Sequence, residues 1–438
     1  MNNEIVKPSI LPGFMELLPA DQIQFNKLSD IIRETYESFG FMPIDTPVIE
    51  KSEILLAKGG GETEKQIYRF LKGTTDLSLR FDLTVPLARY VAQNFSSLTF
   101  PFKRYQIGKV YRGERNQKGR FREFYQCDID IVGHNELSIL NDAQIPSIIY
   151  AMFSNLGFKD FTIKINNRKL LHGFFEALEI KDGADVLRTI DKIDKIGKLT
   201  ATEELLTSGL TNEVVTKIFE FIDIGGTNQE ILSQLNDLNI INDNFTTGLS
   251  ELSTVVNYVK LFGVPNSNIK IELKISRGLD YYTGMVYETF LDDYPSIGSV
   301  CSGGRYDNLA EYYTKQKLPG VGISIGLTRL FYQLNEVGFF KNDTSTCITK
   351  ALVIPQGNNM DYAISFAKDL RDKGVITEIY LEESKMAKKL GYANKLGIPF
   401  AIFIGDTEYQ NKTATVKNML TGLQTTVDFD GVYEIIIA

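Results

Sequence analysis

Arg112, Glu114, Arg120, Arg122, Phe124 and Gln126 recur at even spacing within RGERNQKGRFREFYQ, residues 112–126. On continuous paired strands, even spacing projects side chains from one face. Guanidinium groups hold phosphates bidentately, a carboxylate takes a base amino group, and a ring stacks on a purine. A face with arginines, a carboxylate and an aromatic therefore suits a nucleotide. It also suits a solvated hairpin with cross-strand ion pairs, and a charge cluster by itself favours that plainer alternative. The stretch is a local basic departure in a chain whose net charge is −8.

Three further stretches carry chemistry-bearing residues. RGLDYYTGMVYE (277–288) places an arginine, an aspartate and paired tyrosines ahead of strand-like residues, although half-buried strand tyrosines account for it equally. In CSGGRYDNL (301–309), Gly303 and Gly304 either let a ligand approach the backbone or make a tight turn, and the turn is the simpler reading. GVGISIGLTRL (320–330) could pack a nucleotide against a glycine-bearing strand, with Arg329 beside it, or could serve only close helix–strand packing. Each signal is weak alone; their order along the chain is informative.

Several elements must position these residues. Leu28, Ile31, Ile32, Thr35, Tyr36 and Phe39 predict a helix over 21–39 that stops at Gly40. FMPIDTPVIE (41–50), broken by Pro43 and Pro47, reads as an edge strand or an interface segment. KGGGETEK (58–65) reads as a mobile loop and lacks the Gly-Lys-Ser/Thr ending of a P-loop. LSLRFDLTVPLARYVAQ passes from strand to helix near Thr84, and FKRYQIGKVYRGE and FREFYQCDIDIVG form two strands joined by NQKGR. Residues from about 170 to 260 have helical periodicity, as in KLLHGFFEALEI and EVVTKIFEFI. Strand character returns at NIKIELKISRGLDYYTGMVYETF; GSVCSGGRYDNL reads as a glycine turn, and GVGISIGLTRLFYQL as a strand entering a helix. Beyond a polar linker, KNDTSTC (341–347), strand and helix alternate as a small α/β domain with a largely parallel sheet. There Lys385, Lys388 and Lys389 share a helix face, suited to phosphate contact or simply to solvent.

A chain of 438 residues accommodates two or three domains, and 43% hydrophobic with 23% charged residues is an ordinary globular composition. No apolar run approaches bilayer length, and MNNEIVKPSI lacks the charged-then-apolar pattern of a secretory signal. Cys127, Cys301 and Cys347 lie far apart and, with two histidines, form no zinc pattern or disulfide framework, so a reducing cytoplasm is expected. The pI near 5.2 argues against indiscriminate nucleic-acid binding but not against a local basic groove.

Taken together, the motifs resemble those of the class II aminoacyl-tRNA synthetases, and within them the histidyl-tRNA synthetase family. FMPIDTPVIE resembles the first class motif, with Pro47 at the dimer-interface position; RGERNQKGRFREFYQCDIDIVG resembles the second and GVGISIGLTRL the third. RGLDYYTG and GGRYDNL resemble the two histidine signatures. The resemblance implies an α/β chain: an α+β catalytic domain with an antiparallel sheet flanked by helices over 1–170 and 263–340, a helical insertion at 171–262, and a C-terminal α/β anticodon-binding domain at 348–438. It implies a cytoplasmic homodimer, away from membranes, that uses ATP and Mg²⁺ and acts on L-histidine and tRNA(His), with no protein-held metal. By the same resemblance, Asp82, Leu83, Thr84 and Gln126 hold the amino acid's α-amino end. Asp130, Tyr281, Tyr282 and Tyr306 meet or line the imidazole pocket. Arg112 and Arg277 act at the α-phosphate and carboxylate as the catalytic arginines; Glu114, Arg120, Phe124 and Arg329 bind ATP; Arg115 and Gln117 contact tRNA. The main competing expectation is a non-catalytic regulatory subunit of ATP phosphoribosyltransferase, which reuses the fold but usually lacks the anticodon domain. A class II synthetase for threonine, proline or glycine is opposed by the two histidine signatures. Alanine is often found in the family where Ser302 stands, and the 58–65 loop is shorter than in many relatives.

Overall fold

The structure is a computed structural model that describes residues 5–57, 62–114, 118–181, 183–275, 278, 282–308, 310–342 and 347–437. The chain divides into two units, Met1–Met15 with Leu28–Gly338, and Glu16–Lys27 with Phe339–Ala438. Strands of the first unit, in chain order, are β1 (Met42–Pro43), β2 (Ile49–Lys51), β3 (Arg69–Lys72), β4 (Thr75–Leu79), β5 (Phe102–Tyr111), β6 (Glu123–Val132), β7 (Phe161–Asn167), β8 (Ile269–Ile271), β9 (Met285–Leu291), β10 (Ser299–Tyr306) and β11 (Gly320–Gly326).

Eight of these strands make one sheet in the order β1-β5-β6-β11-β10-β9-β7-β8. Its central pairs, from β5 through β7, are antiparallel, and the terminal strands β1 and β8 run parallel to their neighbours. A smaller sheet has the order β2-β4-β3. The expected edge-strand character of FMPIDTPVIE is realised in β1. A proline contributes no N–H to a ladder, so the sheet margin is where Pro43 costs least.

One face of the large sheet is closed by helices. Cys127, Ile129 and Ile131 of β6, and Ile323 and Ile325 of β11, are buried. The Tyr36 hydroxyl, from helix Pro19–Ser38, donates to the Cys127 carbonyl. On helix Leu140–Asn155, the Asp142 carbonyl accepts from the Tyr287 hydroxyl, and the Phe153 ring packs 5.6 Å from Phe161. The residues between them on each strand project to the opposite face, which is where the functional groups gather.

Among the described residues, 168–261 are helical over Arg168–Ala177, Gly183–Thr207, Asn212–Ile222, Asn228–Asp237 and Asp243–Leu261, the second of these being two helices that meet at a kink at Gly197 (φ 78°). Their starts are sequence-encoded: Thr211, Thr227 and Asn242 each accept a backbone N–H from the first turn of the helix that follows.

In the second unit, β12 (Ala351–Pro355), β13 (Thr377–Ile379), β14 (Phe400–Ile404), β15 (Thr413–Asn418) and β16 (Gln424–Asp428) form a sheet ordered β13-β12-β14-β15-β16. β12, β13 and β14 are parallel, whereas β15 and β16 are antiparallel additions, so the sheet is mixed rather than largely parallel. Helices Met360–Asp372 and Met386–Leu396 fall where the alternation predicts them. Of the three lysines assigned to one face, Lys385 and Lys388 are exposed, but Lys389 turns inward, donating to the Pro355 carbonyl at 3.1 Å and lying over the Tyr380 ring.

Two local expectations are corrected. Part of the 58–65 loop is a helix, Glu62–Gln66, and its Gln66 carbonyl accepts from Gly113 N at 2.7 Å; residues 58–61 lie outside the described residues. SVCSGGRY is not a turn but the central strand β10. Gly303 and Gly304 are there for close strand approach. A Cβ on Gly303 would lie 2.1 Å from the Gly322 carbonyl oxygen, and one on Gly304 would lie 2.7 Å from that of Met285.

Candidate active site

The strands β5 and β6 form the expected hairpin, with Tyr111 opposite Glu123. The strands end earlier than expected, at Tyr111 and Glu123, and just beyond them Arg112 N donates to the Arg122 carbonyl at 2.9 Å. Even spacing still places Phe124, Gln126, Asp128 and Asp130 along one face of β6. Beside them on β11 stand only small residues: Gly326 opposite Gln126, Ser324 opposite Asp128 and Gly322 opposite Asp130. At its deeper end this floor has no room for larger side chains. A Cβ on Gly322 would lie 2.3 Å from Asp130 Oδ1, and one on Gly320 would lie 2.4 Å from the Tyr306 ring.

Above the floor is a cleft of about 390 Å³. Arg112, Glu114, Arg120, Phe124, Gln126, Tyr282 and Arg329 all line it, joined by Ser299, Ser302, Ser324, Gly326 and Gln333. Residues assigned separately to nucleotide and amino acid thus share one cavity. The Arg112 guanidinium sits 4.4 Å from the Phe81 ring and 5.1 Å from the Phe124 ring, and its Nε donates to the Phe81 carbonyl at 3.2 Å. Those contacts pre-orient it while leaving donors for an anion. Arg329 stands on the first turn of helix Leu327–Glu336 with Nη2 3.4 Å from the Ile297 carbonyl oxygen. Glu114 is engaged by Arg120 at 3.2 Å, so a base amino group would compete for that carboxylate.

The polar end lies deeper. Asp82 precedes helix Thr84–Gln93 and accepts from Thr84 N and Val85 N at 3.1 and 2.9 Å, which turns the chain into the helix, with Leu83 buried and Asp82 and Thr84 half-buried. Gln126 donates to Ser324 Oγ at 2.7 Å, while its buried Oε1 has no hydrogen-bond partner, an acceptor open to an ammonium. The Tyr306 hydroxyl donates to Asp130 Oδ1 at 2.7 Å, and Arg104 Nη2 lies 2.5 Å from Asp130 Oδ2. Tyr282 packs beside Tyr306 over the apolar cluster of Leu87, Val91 and Val132. Burial raises the carboxyls of Asp82, Asp128 and Asp130 above their ordinary range, to about 7 for Asp128 and about 6 for Asp130, with Arg104 opposing the rise in each.

Arg277 and Tyr281, and the tRNA residues Arg115 and Gln117, lie outside the described residues. Arg104, Asp128 and Ser324 belong to the site's wall and floor and were not singled out from sequence. For Asp128 the signal existed: it sits between Gln126 and Asp130 on the same period of two. Among the described residues, no group of three or more His, Cys, Asp or Glu side chains is arranged to hold a metal ion, and no helix is long and apolar enough to cross a membrane.

Asp128 yields a stability prediction. Its Oδ1 is buried without a hydrogen-bond partner, and its folded-state pKa is raised. The protonated form is therefore favoured on folding. Its contribution is fully present below the unfolded-state value and is lost as pH rises through about 7. Asp128→Asn is expected to raise the unfolding free energy at pH 8 by about 1–2 kcal/mol, with the gain shrinking as pH falls and vanishing below about pH 4. Urea unfolding at both pH values checks it, and equal gains at both would refute the ionisation argument.

A family model described as Histidyl-tRNA synthetase matches residues 13–330, and one described as Anticodon binding domain matches residues 350–438. The chain is similar to the Histidine–tRNA ligase of Clostridium tetani, with 63% identity covering 100% of this chain and 99% of that protein. Its counterpart from Clostridium acetobutylicum is 51% identical over 97% and 98% of the two chains. The crystal structure of histidyl-tRNA synthetase from Nostoc sp. PCC 7120 superposes with a TM-score of 0.92 at 40% identity, covering 99% of each chain. An ATP phosphoribosyltransferase regulatory subunit/histidyl-tRNA synthetase from Bacillus halodurans C covers 92% of this chain and 99% of its own with a TM-score of 0.76 at 19% identity, a likeness of fold alone.

Proposed function

The chain belongs to the histidyl-tRNA synthetase family, and from that premise we propose how this cleft joins L-histidine to the 3′ end of tRNA(His). The observation that carries the reading is the convergence of Arg112, Glu114, Phe124, Gln126, Tyr282 and Arg329 on one cleft. Phe124 stacks on adenine from one side and Arg329 covers the other, with Glu114 at the base edge and Arg120 at the phosphates. Gln126 Oε1, with Asp82 and the 82–84 segment, takes the α-ammonium. Asp130 and Tyr282 meet the two imidazole nitrogens, one as acceptor and one through its hydroxyl, and Tyr281 and Tyr306 line the pocket. A competing amino acid would leave those buried groups unpaired, which is heavily penalised.

In the first step a histidine carboxylate oxygen attacks the α-phosphorus of ATP, the bond to the β-phosphate oxygen breaks, and pyrophosphate leaves. Arg112 and Arg277 align the carboxylate and stabilise charge on the α-phosphate. Beside these arginines, the oxygens of the triphosphate rather than a protein site would hold Mg²⁺, which would supply neutralisation of phosphate charge. A terminal ribose hydroxyl of the tRNA, guided by Arg115 and Gln117, then attacks the activated carbonyl and AMP leaves. Residues 348–438 read the anticodon, 171–262 form the insertion of a catalytic domain spanning 1–170 and 263–340, and the working unit is a cytoplasmic homodimer paired through the segment around Pro47. The regulatory-subunit alternative loses ground because the anticodon-domain match is present and the family identity runs the length of the chain.

ATP–pyrophosphate exchange, with each amino acid supplied in turn, tests the reading. Exchange that requires L-histidine and Mg²⁺ is expected. Exchange with another amino acid would discard the specificity, and none at all from folded protein would favour the regulatory subunit.

A further inference from the structure

Arg104 is wholly buried on β5, directly opposite Asp130 of β6. Its Nη2 touches Asp130 Oδ2 at 2.5 Å and lies 3.5 Å from the Leu83 carbonyl oxygen. Its Nε and Nη1 have no hydrogen-bond partner, and neither does the neighbouring Asp128 Oδ1. Burying a guanidinium with two donors unsatisfied is costly, and well-packed apolar residues commonly stabilise a fold better than a buried ion pair. Stability alone therefore explains this arrangement poorly. Its location explains it better, because its Nη2 reaches both Asp130 and the turn before helix Thr84–Gln93, the two places proposed above to bind the amino acid.

We infer that Arg104 is a positioning residue for the substrate histidine. Its guanidinium ties the carboxylate that reads the imidazole to the Leu83 carbonyl in the turn that holds the α-amino group, and so sets how the two ends of the pocket face each other. This rests on the roles proposed above for Asp130 and residues 82–84. With Oδ2 held by Arg104 and Oδ1 taking the Tyr306 hydroxyl, the Asp130 carboxylate cannot rotate, yet it keeps lone pairs for an imidazole N–H. The titratable and charged groups around it are Asp82 from the turn before helix Thr84–Gln93, Asp128 on β6, Tyr306 on β10 and Arg104 itself. Burial raises Asp130 to about 6 while Arg104 pulls it down, so loss of Arg104 raises it further. The acid limb of kcat/KM for histidine then moves to higher pH, whereas the titration of free histidine is the same for every variant.

The test is ATP–pyrophosphate exchange with the full-length protein as a function of histidine concentration and pH, alongside thermal melts. Variants are R104M, R104K, D130N and R104M/D130N. R104M is expected to raise the histidine KM about ten- to hundredfold, to leave the ATP KM within about twofold, and to shift the acid limb upward. R104K keeps the charge without the planar fork and is expected to restore the limb more than the KM. A lowered melting temperature in R104M with histidine KM and acid limb unchanged, while D130N is impaired, overturns the role of Arg104. An unchanged histidine KM in D130N instead overturns Asp130 as the imidazole contact. Should R104M fail to fold, R104M/D130N is compared with D130N. Equal histidine KM values show that Arg104 acts through Asp130, and a further additive loss overturns it.

Discussion

Replacing Arg112 by alanine slows histidine-dependent ATP–pyrophosphate exchange by about 10²–10³-fold, the usual cost of removing one preorganised donor from a charge-developing centre. The guanidinium is held by the Phe81 and Phe124 rings and anchored through Nε to the Phe81 carbonyl, so in the proposed role it would meet a phosphate without reorganising. Those contacts also make lysine a poor substitute. An ammonium cannot use the planar fork and anchors differently, so R112K is expected to recover only part of the loss. The loss should appear in kcat more than in the histidine KM, because the donor matters most as charge develops at phosphorus. Melting temperature should change little, since Arg112 lines an open cleft. A variant with full exchange rates would remove Arg112 from the catalytic machinery.

Asp142→Ala is expected to lower the unfolding free energy by about 3–5 kcal/mol, the range for leaving one member of a buried ion pair alone. Asp142 has no exposed surface, and its Oδ2 meets Arg305 Nη1 at 2.6 Å. The value should sit near the lower end, because Arg305 keeps Asp307 at 3.2 Å and the Leu137 carbonyl at 2.7 Å. The loss reaches the cleft through the strand. Arg305 precedes Tyr306 on β10, and Asp307 accepts from Thr283 beside Tyr282 at 2.6 Å. Chemical unfolding measures the loss, and a deficit below about 1 kcal/mol would show that the pair is not structurally important. A D142L/R305M double variant should recover much of the stability, because no charge is then buried unpaired.

How much of this was legible in the sequence follows from the range of each signal. Helix and strand periodicities are local. The helix starting at Thr84, the β5–β6 hairpin and the strand-to-helix passage from Gly320 to Glu336 could therefore be read directly. The shared face of Phe124 and Gln126 was legible for the same reason, since a period of two assigns a face before any partner is known, whereas Arg112, Glu114 and Arg120 lie beyond the paired strands and reach the cleft from the tip. Asp128 lies on that period and inside the second motif, but no role attaches to it there, and only its burial beside Arg104 sets it apart.

The remainder depended on partners distant in sequence. GSVCSGGRY resembles a turn until β9 and β11 flank it, because nothing local distinguishes a glycine needed for bending from one needed for close strand contact. β15 and β16 complete a sheet whose first three strands alone suggest a parallel arrangement. Arg104 in FKRYQIG looks like any polar residue of an alternating strand, and only its pairing with Asp130 and its approach to Leu83 bury it beneath the pocket. By itself the sequence determined most of the elements, because those follow from local periodicity, and it carried the motifs on which the family resemblance and the expected site residues rest. Tertiary structure alone decided which charges are buried together and which glycines make the floor, because burial and close contact are properties of pairs that the chain brings together only on folding.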